Sequence, residues 1–72
     1  MLKHDEVERG CFAKAADNEP LFVLRGQDKL APALVREWAR LAAENGCPPD
    51  KVQEARNLAD AMDRWLPRKY PD

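Results

Sequence analysis

The side chains best suited to chemistry in this sequence lie where a short apolar run, residues 21–24, ends. Arg25 follows this run at once, and Gln27, Asp28 and Lys29 come directly after it. A guanidinium can hold a carboxylate or a phosphate through two parallel hydrogen bonds, and the neighbouring amide and ammonium groups add donors. The pattern therefore fits a rim that binds an anion or an amide. A structural alternative is that Arg25 pairs with Asp28 and ties the turn together.

The other reactive groups give weaker indications of chemistry. The one histidine, His4, lies in a charged N-terminal stretch, where we expect a solvated side chain. Cys47 precedes two prolines, and a position at a helix cap would make its thiol more reactive; the alternative is a small structural residue. The spacing of His4, Cys11 and Cys47 fits no zinc pattern. The chain has no Ser or Thr. We therefore predict no catalytic site, no metal site and no cofactor.

Size and charge restrict the possible partners. The chain has 72 residues, which we interpret as a single domain over residues 1–72. A domain of this length buries only about 60% of the surface that its unfolded chain exposes, so self-association is expected to add stability. Twelve basic and thirteen acidic residues are interleaved and give a net charge of −1. Nucleic-acid binders usually carry a basic excess, so we predict no nucleic-acid partner.

The start of the sequence does not resemble a signal peptide, because Met1 to Glu6 turns acidic where an apolar segment should begin. No stretch approaches the ~20 apolar residues needed to cross a bilayer, so we predict no membrane association. These features favour a cytoplasmic protein. Both cysteines are then expected to be free thiols.

The N-terminal half is predicted to hold short elements. Residues 1–9 are mostly charged and are predicted to be a frayed arm or a short, weak helix, and the alanine-rich residues 10–17 favour a short helix. Residues 19–26 allow two interpretations. Asn18 can cap a short helix that begins with Glu19 and Pro20; alternatively, the β-branched and aromatic content permits a brief strand. We favour the helix, because nothing else in the chain offers a strand to pair with.

Two longer helices are predicted over residues 30–45 and 48–66, with a short joint at Asn45-Gly46. Both have apolar residues at helical spacing, and the short joint makes them antiparallel. The sequence therefore predicts an all-α fold, a small helical domain built on an antiparallel αα-hairpin with one or two short N-terminal helices. The large apolar residues assigned to its core or to an interface are Phe22, Leu24, Trp38 and Trp65.

A signature runs from Cys11 to Ala39 and comprises Cys11, Lys14-Ala15, Glu19-Pro20, Phe22 to Arg25, Asp28, Ala31-Pro32, Val35 and Trp38-Ala39. It resembles that of a group of short, uncharacterised proteins from bacteria and tailed phages. The match continues weakly through Pro48-Pro49 and Ala55. The resemblance brings no established activity. It implies a phage-associated or host-encoded accessory protein that counters bacterial immunity.

These observations lead to one principal function and two alternatives. The first is a non-enzymatic homo-oligomer that sequesters a small anionic or nucleotide-like ligand in a pocket between protomers. The second is an inhibitory or adaptor protein that docks on a larger protein through a helix face, and the third is a cysteine-dependent or nucleotide-processing enzyme. The residues assigned to ligand binding are Arg25, Gln27, Asp28 and Lys29, with Lys14 adding positive charge.

Overall fold

The computed structural model describes residues 2–71, and this range holds four α-helices. Two are short, α1 over Lys3–Glu8 and α2 over Cys11–Lys14. The longer pair, α3 over Ala31–Glu44 and α4 over Pro49–Arg64, packs together as a hairpin, whereas α1 packs against α2. The described residues contain no strand, so the all-α prediction with its antiparallel hairpin is confirmed. None of these helices is long and apolar enough to cross a membrane.

The hairpin joint forms because a glycine ends α3 and a proline begins α4. Gly46 has a φ of 77°, the left-handed conformation that a side chain disfavours. Its N–H donates to the Ala43 carbonyl at 3.2 Å, and the Cys47 N–H donates to the Ala42 carbonyl at 3.0 Å. These two bonds make a Schellman motif, which satisfies carbonyls that the helix end would leave without donors. Cys47 then packs against the apolar cluster of the hairpin, as the motif usually requires.

The beginning of α4 differs in detail from the sequence prediction. Pro48, not Cys47, is the N-cap residue, and Pro49 occupies the first helical position. Asp50 lies in the first turn, but no side chain caps this helix. Its carboxylate still lies at the positive end of the helix dipole, where a negative charge is favourable.

Two glycines are expected to respond in opposite ways to substitution by alanine. Gly46→Ala should lower the free energy of unfolding by about 1 kcal/mol, because the added Cβ disfavours the left-handed conformation. Gly26→Ala should raise it by about 0.4–1 kcal/mol, because its φ is not positive and the added Cβ would lie 3.8 Å from Cγ of Trp65, an ordinary contact. Urea denaturation of both variants measures the difference, and equal midpoints would contradict it.

The centre of the hairpin is a seam of small side chains, which we call the inner seam. It buries four residues of each helix: Ala31, Pro32, Ala39 and Ala42 on α3, and Val52, Ala55, Ala59 and Met62 on α4. Ala39 and Ala59 have no exposed surface at all. Where methyl groups pack together, at Ala39, Ala42 and Ala55, the two backbones can approach closely and leave little room for larger side chains.

The large apolar residues assigned to the core lie outside this seam. Trp38 is 54% exposed, Trp65 is 60% exposed and Phe22 is 86% exposed, whereas Leu24 is half-buried. Their assignment to the core of a single chain is therefore wrong for Phe22, Trp38 and Trp65. Trp38 is displaced because it precedes Ala39 by one residue, which turns it about 100° away from the seam.

The prediction for residues 19–26 is wrong in both of its forms, because this segment is neither helix nor strand. Pro20 disfavours a helical conformation at Glu19, and two turns are too short to form a helix without packing. The end of the segment bonds instead to the C-terminal tail. The helix expected over 10–17 is also shorter than predicted, since it covers only Cys11–Lys14, and the arm over 1–9 contains α1.

Ion pairs lie on the outside of the hairpin. Arg36 of α3 reaches Asp60 at 2.9 Å and Asp63 at 2.5 Å on α4, and these bonds raise the pKa of the guanidinium, the bond to Asp63 most strongly. On α3 itself, Arg40 bonds to Glu37 and to Glu44. The bond from Arg40 lowers the pKa of the Glu37 carboxyl group below its ordinary value.

Candidate functional site

The predicted binding cluster forms a turn that is organised by Asp28. Its Oδ1 accepts a hydrogen bond from the Leu30 N–H at 2.8 Å, and its carbonyl accepts one from the Ala31 N–H at 3.1 Å. The Asp28 N–H donates to the Arg25 carbonyl at 3.0 Å, which closes the turn. The carboxylate therefore positions the start of α3. Arg25 and Asp28 form no ion pair, and the guanidinium bonds to no residue in the described range 2–71.

The C-terminal tail packs beside this turn and forms the other wall of the site. The Lys29 N–H donates to the Lys69 carbonyl at 2.8 Å, and the Lys69 N–H donates to the Gln27 carbonyl at 2.8 Å. These two bonds make a parallel bridge between Asp28 and Lys69. This bridge joins two positions that are 41 residues apart in the sequence. It fixes the position of the tail against the turn.

Arg68 fastens the turn, the tail and the end of α4 together. Its guanidinium donates to three backbone carbonyls: Gly26 at 3.3 Å, Asp28 at 3.1 Å, and Met62. A planar group with five donors can bond to several acceptors at once, which an ammonium on a flexible stem does less well. Arg68 therefore has a structural role, and the cleft beside it depends on this arrangement.

Between the turn and the tail lies a cleft of about 180 Å³. The turn contributes Val23, Arg25, Gln27 and Asp28, and the tail contributes Lys69, Tyr70 and Pro71. Sites for whole small molecules usually enclose about 300–1,000 Å³. The cleft is therefore large enough for one charged group of a ligand, such as a phosphate or a carboxylate, but not for a nucleotide.

The charges around the cleft favour an anion. Arg25 and Lys69 line it, and the ammonium of Lys29 lies 4.8 Å from the centre of the Tyr70 ring, in a cation–π contact. The only carboxylate among the lining residues is that of Asp28, which already accepts a backbone hydrogen bond. Among the described residues, the Arg25 guanidinium makes no bond while the Asp28 carboxylate is engaged, so an anion would meet an available donor here. Gln27 adds an amide that can donate to a ligand oxygen.

The structure brings together most of the residues that the sequence assigned to binding. Arg25, Gln27 and Asp28 line the cleft, and Lys29 lies beside it on the Tyr70 ring. Lys14 is placed elsewhere, on α2, and does not line the cleft.

Sequence reasoning did not assign Lys69 and Tyr70, which line the other half of the site, or Arg68, which holds the tail in place. Pro67 was a signal that could have indicated their role. It stops α4 and leaves a short cationic and aromatic segment that cannot form a helix of its own and must pack elsewhere.

The remaining reactive groups form no second site. His4 pairs with Asp5 at 3.2 Å on α1, Cys11 is exposed on α2, and Cys47 packs at the hairpin joint. Within the described range, no three side chains of His, Cys, Asp or Glu converge as metal ligands. No protein-family model, no curated protein and no solved structure matches this chain. The cleft between the turn and the tail gathers most of the residues that the sequence assigned to binding, and it is therefore the candidate site.

Proposed function

We propose that this protein is a non-enzymatic binding protein that takes up a small anionic or nucleotide-like ligand. The anionic group of the ligand lies in the cleft, where Arg25 is its main donor and Gln27 a second one. The observation that carries the proposal is the position of Arg25: it lines the cleft while its guanidinium bonds to no residue from 2 to 71. An arginine in this situation has its full set of donors available for a ligand.

The size of the cleft supports a shared pocket. The volume of 180 Å³ accommodates the charged group alone, so the remainder of a nucleotide-like ligand needs another surface. We propose that a second copy of the chain supplies it. The exposed side chains of Leu21, Phe22 and Val23 precede the cleft and offer apolar surface to such a copy.

The biological setting of the proposal comes from the resemblance of residues 11–39 to proteins of bacteria and tailed phages. In that setting the protein acts in the cytoplasm of a bacterial host and counters an immune response by withholding a phosphate-bearing ligand. Sequestration requires binding without turnover.

An anion should stabilise the protein, and the effect should depend on Arg25. The probes are inorganic phosphate and a panel of nucleotides, added at low ionic strength to the full chain. A ligand at 100 times its Kd stabilises the folded state by about 2.7 kcal/mol, which raises the Tm of a domain of this size by roughly 10 °C or more. Arg25→Gln is expected to abolish the increase without changing the Tm of the unliganded protein, because this guanidinium makes no bond within the described chain.

The matched control is Arg56→Gln on α4. Arg56 is also exposed and unpaired within residues 2–71, but it does not line the cleft, so this variant should keep the full increase in Tm. The ligand must also be recovered unchanged after incubation, as sequestration demands. If no member of the panel raises the Tm, or if both variants lose the increase equally, the anion site is refuted.

Docking on a larger protein through a helix face is a second candidate function. One observation favours it: α3 carries Leu34, Trp38 and Leu41 on its outside, and each is about half exposed. A protein that stays monomeric at high concentration, with these residues uncovered, would support the adaptor function over the shared pocket.

A further inference from the structure

Helix α3 carries a second apolar stripe beside the inner seam, and no part of the described chain covers it fully. The stripe consists of Leu30, at the N-cap, and Leu34, Trp38 and Leu41, and these side chains are between 44% and 54% exposed. Their spacing of four, four and three residues places them on one face of the helix. We call this face the outer stripe. Each member precedes by one position a residue that packs inward, namely Ala31, Val35, Ala39 or Ala42, so the two faces are about 100° apart around the helix.

The solvent-exposed area of the chain is larger than expected for a compact protein of its mass. A compact protein of 8.2 kDa exposes about 4,500 Å². This chain exposes 5874 Å², so the excess is about 1,300 Å². A stable dimer of standard size hides about 800 Å² on each partner. The excess is therefore enough for one such interface, and no large side chain is fully buried without it.

The charges beside the outer stripe do not oppose contact with an identical surface. Glu37 and Glu44 lie along its edge away from α4, and both bond to Arg40, the bond to Glu44 being 2.7 Å long. These groups are thus engaged within the chain. A copy that approaches the stripe meets apolar side chains at the centre and paired charges at the rim, which is the usual composition of a protein interface.

The spacing of the stripe is nearly the same in both directions along the helix. A two-fold axis near residue 36 would place Leu30 of one chain opposite Leu41 of the other, and Leu34 opposite Trp38. We propose that a second copy of this chain binds across the outer stripe of α3, so that two antiparallel α3 helices form the centre of a two-fold symmetric dimer. Dimer formation uses different side chains from those of the cleft and does not require an anion. Since Lys29 adjoins Leu30, the partner lies next to the cleft.

The test is the mass of the full chain in solution, measured by sedimentation equilibrium without added phosphate or nucleotide. We expect twice the 8.2 kDa of one chain at micromolar concentrations. Trp38→Glu should raise the dimer dissociation constant roughly 30-fold or more, because a buried tryptophan near the centre of an interface usually carries much of the binding energy. Far-ultraviolet circular dichroism establishes that the variant keeps its helices.

Phe12→Glu is the control variant, since Phe12 is an exposed apolar residue on α2, belongs to neither proposed binding surface and should leave the dimer intact. Two measurements would overturn the proposal: a strict monomer for the unmodified chain, or a dimer that Phe12→Glu dissociates and Trp38→Glu does not. If Trp38→Glu fails to fold, the Tm of the unmodified chain tests the dimer instead, because the Tm of a dimer rises with protein concentration. A Tm that is constant over a 100-fold range would refute the dimer. If Arg25→Gln loses the rise in Tm with phosphate but still forms the dimer, the result bears on the anion site in the cleft and not on the dimer.

Discussion

Ala39→Leu is expected to lower the free energy of unfolding by about 1–3 kcal/mol, although leucine is apolar and a good helix former. Ala39 has no exposed surface and lies in the inner seam where α3 meets α4. Three additional carbon atoms can fit there only if the helices move apart, which disturbs the packing along the whole hairpin. A domain of 72 residues has a total stability of roughly 4–10 kcal/mol, so the loss is a large part of it.

Urea denaturation at one fixed protein concentration measures this loss. Ala43→Leu is the matched control, because it makes the same chemical change on the same helix at an exposed position. Its midpoint should stay close to that of the unmodified chain. If the two variants are equally stable, the seam of small residues does not hold the hairpin together.

The second large effect is expected at Arg68. Arg68→Ala removes the donor for the carbonyls of Gly26, Asp28 and Met62 at once, and should lower the free energy of unfolding by about 1.5–3 kcal/mol. Hydrogen bonds from a charged group are among the stronger ones in proteins. The same change should also weaken phosphate binding, because the tail then loses its fixed position beside Arg25. Both effects can be followed in one thermal unfolding series with and without phosphate.

Two variants test the cause of this effect. Arg64→Ala removes a guanidinium from the last turn of α4, where it is exposed and has no partner among the described residues, so it should change stability little. Arg68→Lys keeps the charge but lacks the planar fork, and should recover only part of the lost stability. Full recovery in Arg68→Lys would mean that charge, rather than the geometry of the three bonds, is what holds the tail.

The hairpin could be predicted because its boundaries depend on neighbouring residues alone. Pro32 fixes the first turn of α3, Gly46 ends this helix and Pro49 starts α4, and each acts through its own backbone geometry. The face that turns inward could not be predicted in the same way. Large and small apolar residues both recur at helical spacing on α3, and the choice between them depends on what α4 presents. Because Ala55 and Ala59 face α3, the small residues pack inward.

Only one of the two walls of the cleft could be predicted from the sequence. Arg25, Gln27 and Asp28 follow one another closely, so any turn brings them together. The other wall includes Lys69 and Tyr70, about 40 residues further along the chain. Local sequence patterns do not show that two segments so far apart will contact each other. The error over residues 19–26 has a related cause: the Gly26 carbonyl, at the end of this segment, accepts a bond from Arg68 of the tail, a contact that local preferences for helix or strand do not reveal.

The offset of one residue between the inner seam and the outer stripe also affects how this chain can change over generations. Side chains that pack in the inner seam and side chains of the outer stripe, where we propose that a second copy binds, follow one another along α3. If that proposal holds, a lineage could exchange Leu34 or Trp38, and with them its binding specificity, while the alanines preserve the hairpin. Selection on recognition and selection on foldability would thus act on separate positions of a single helix.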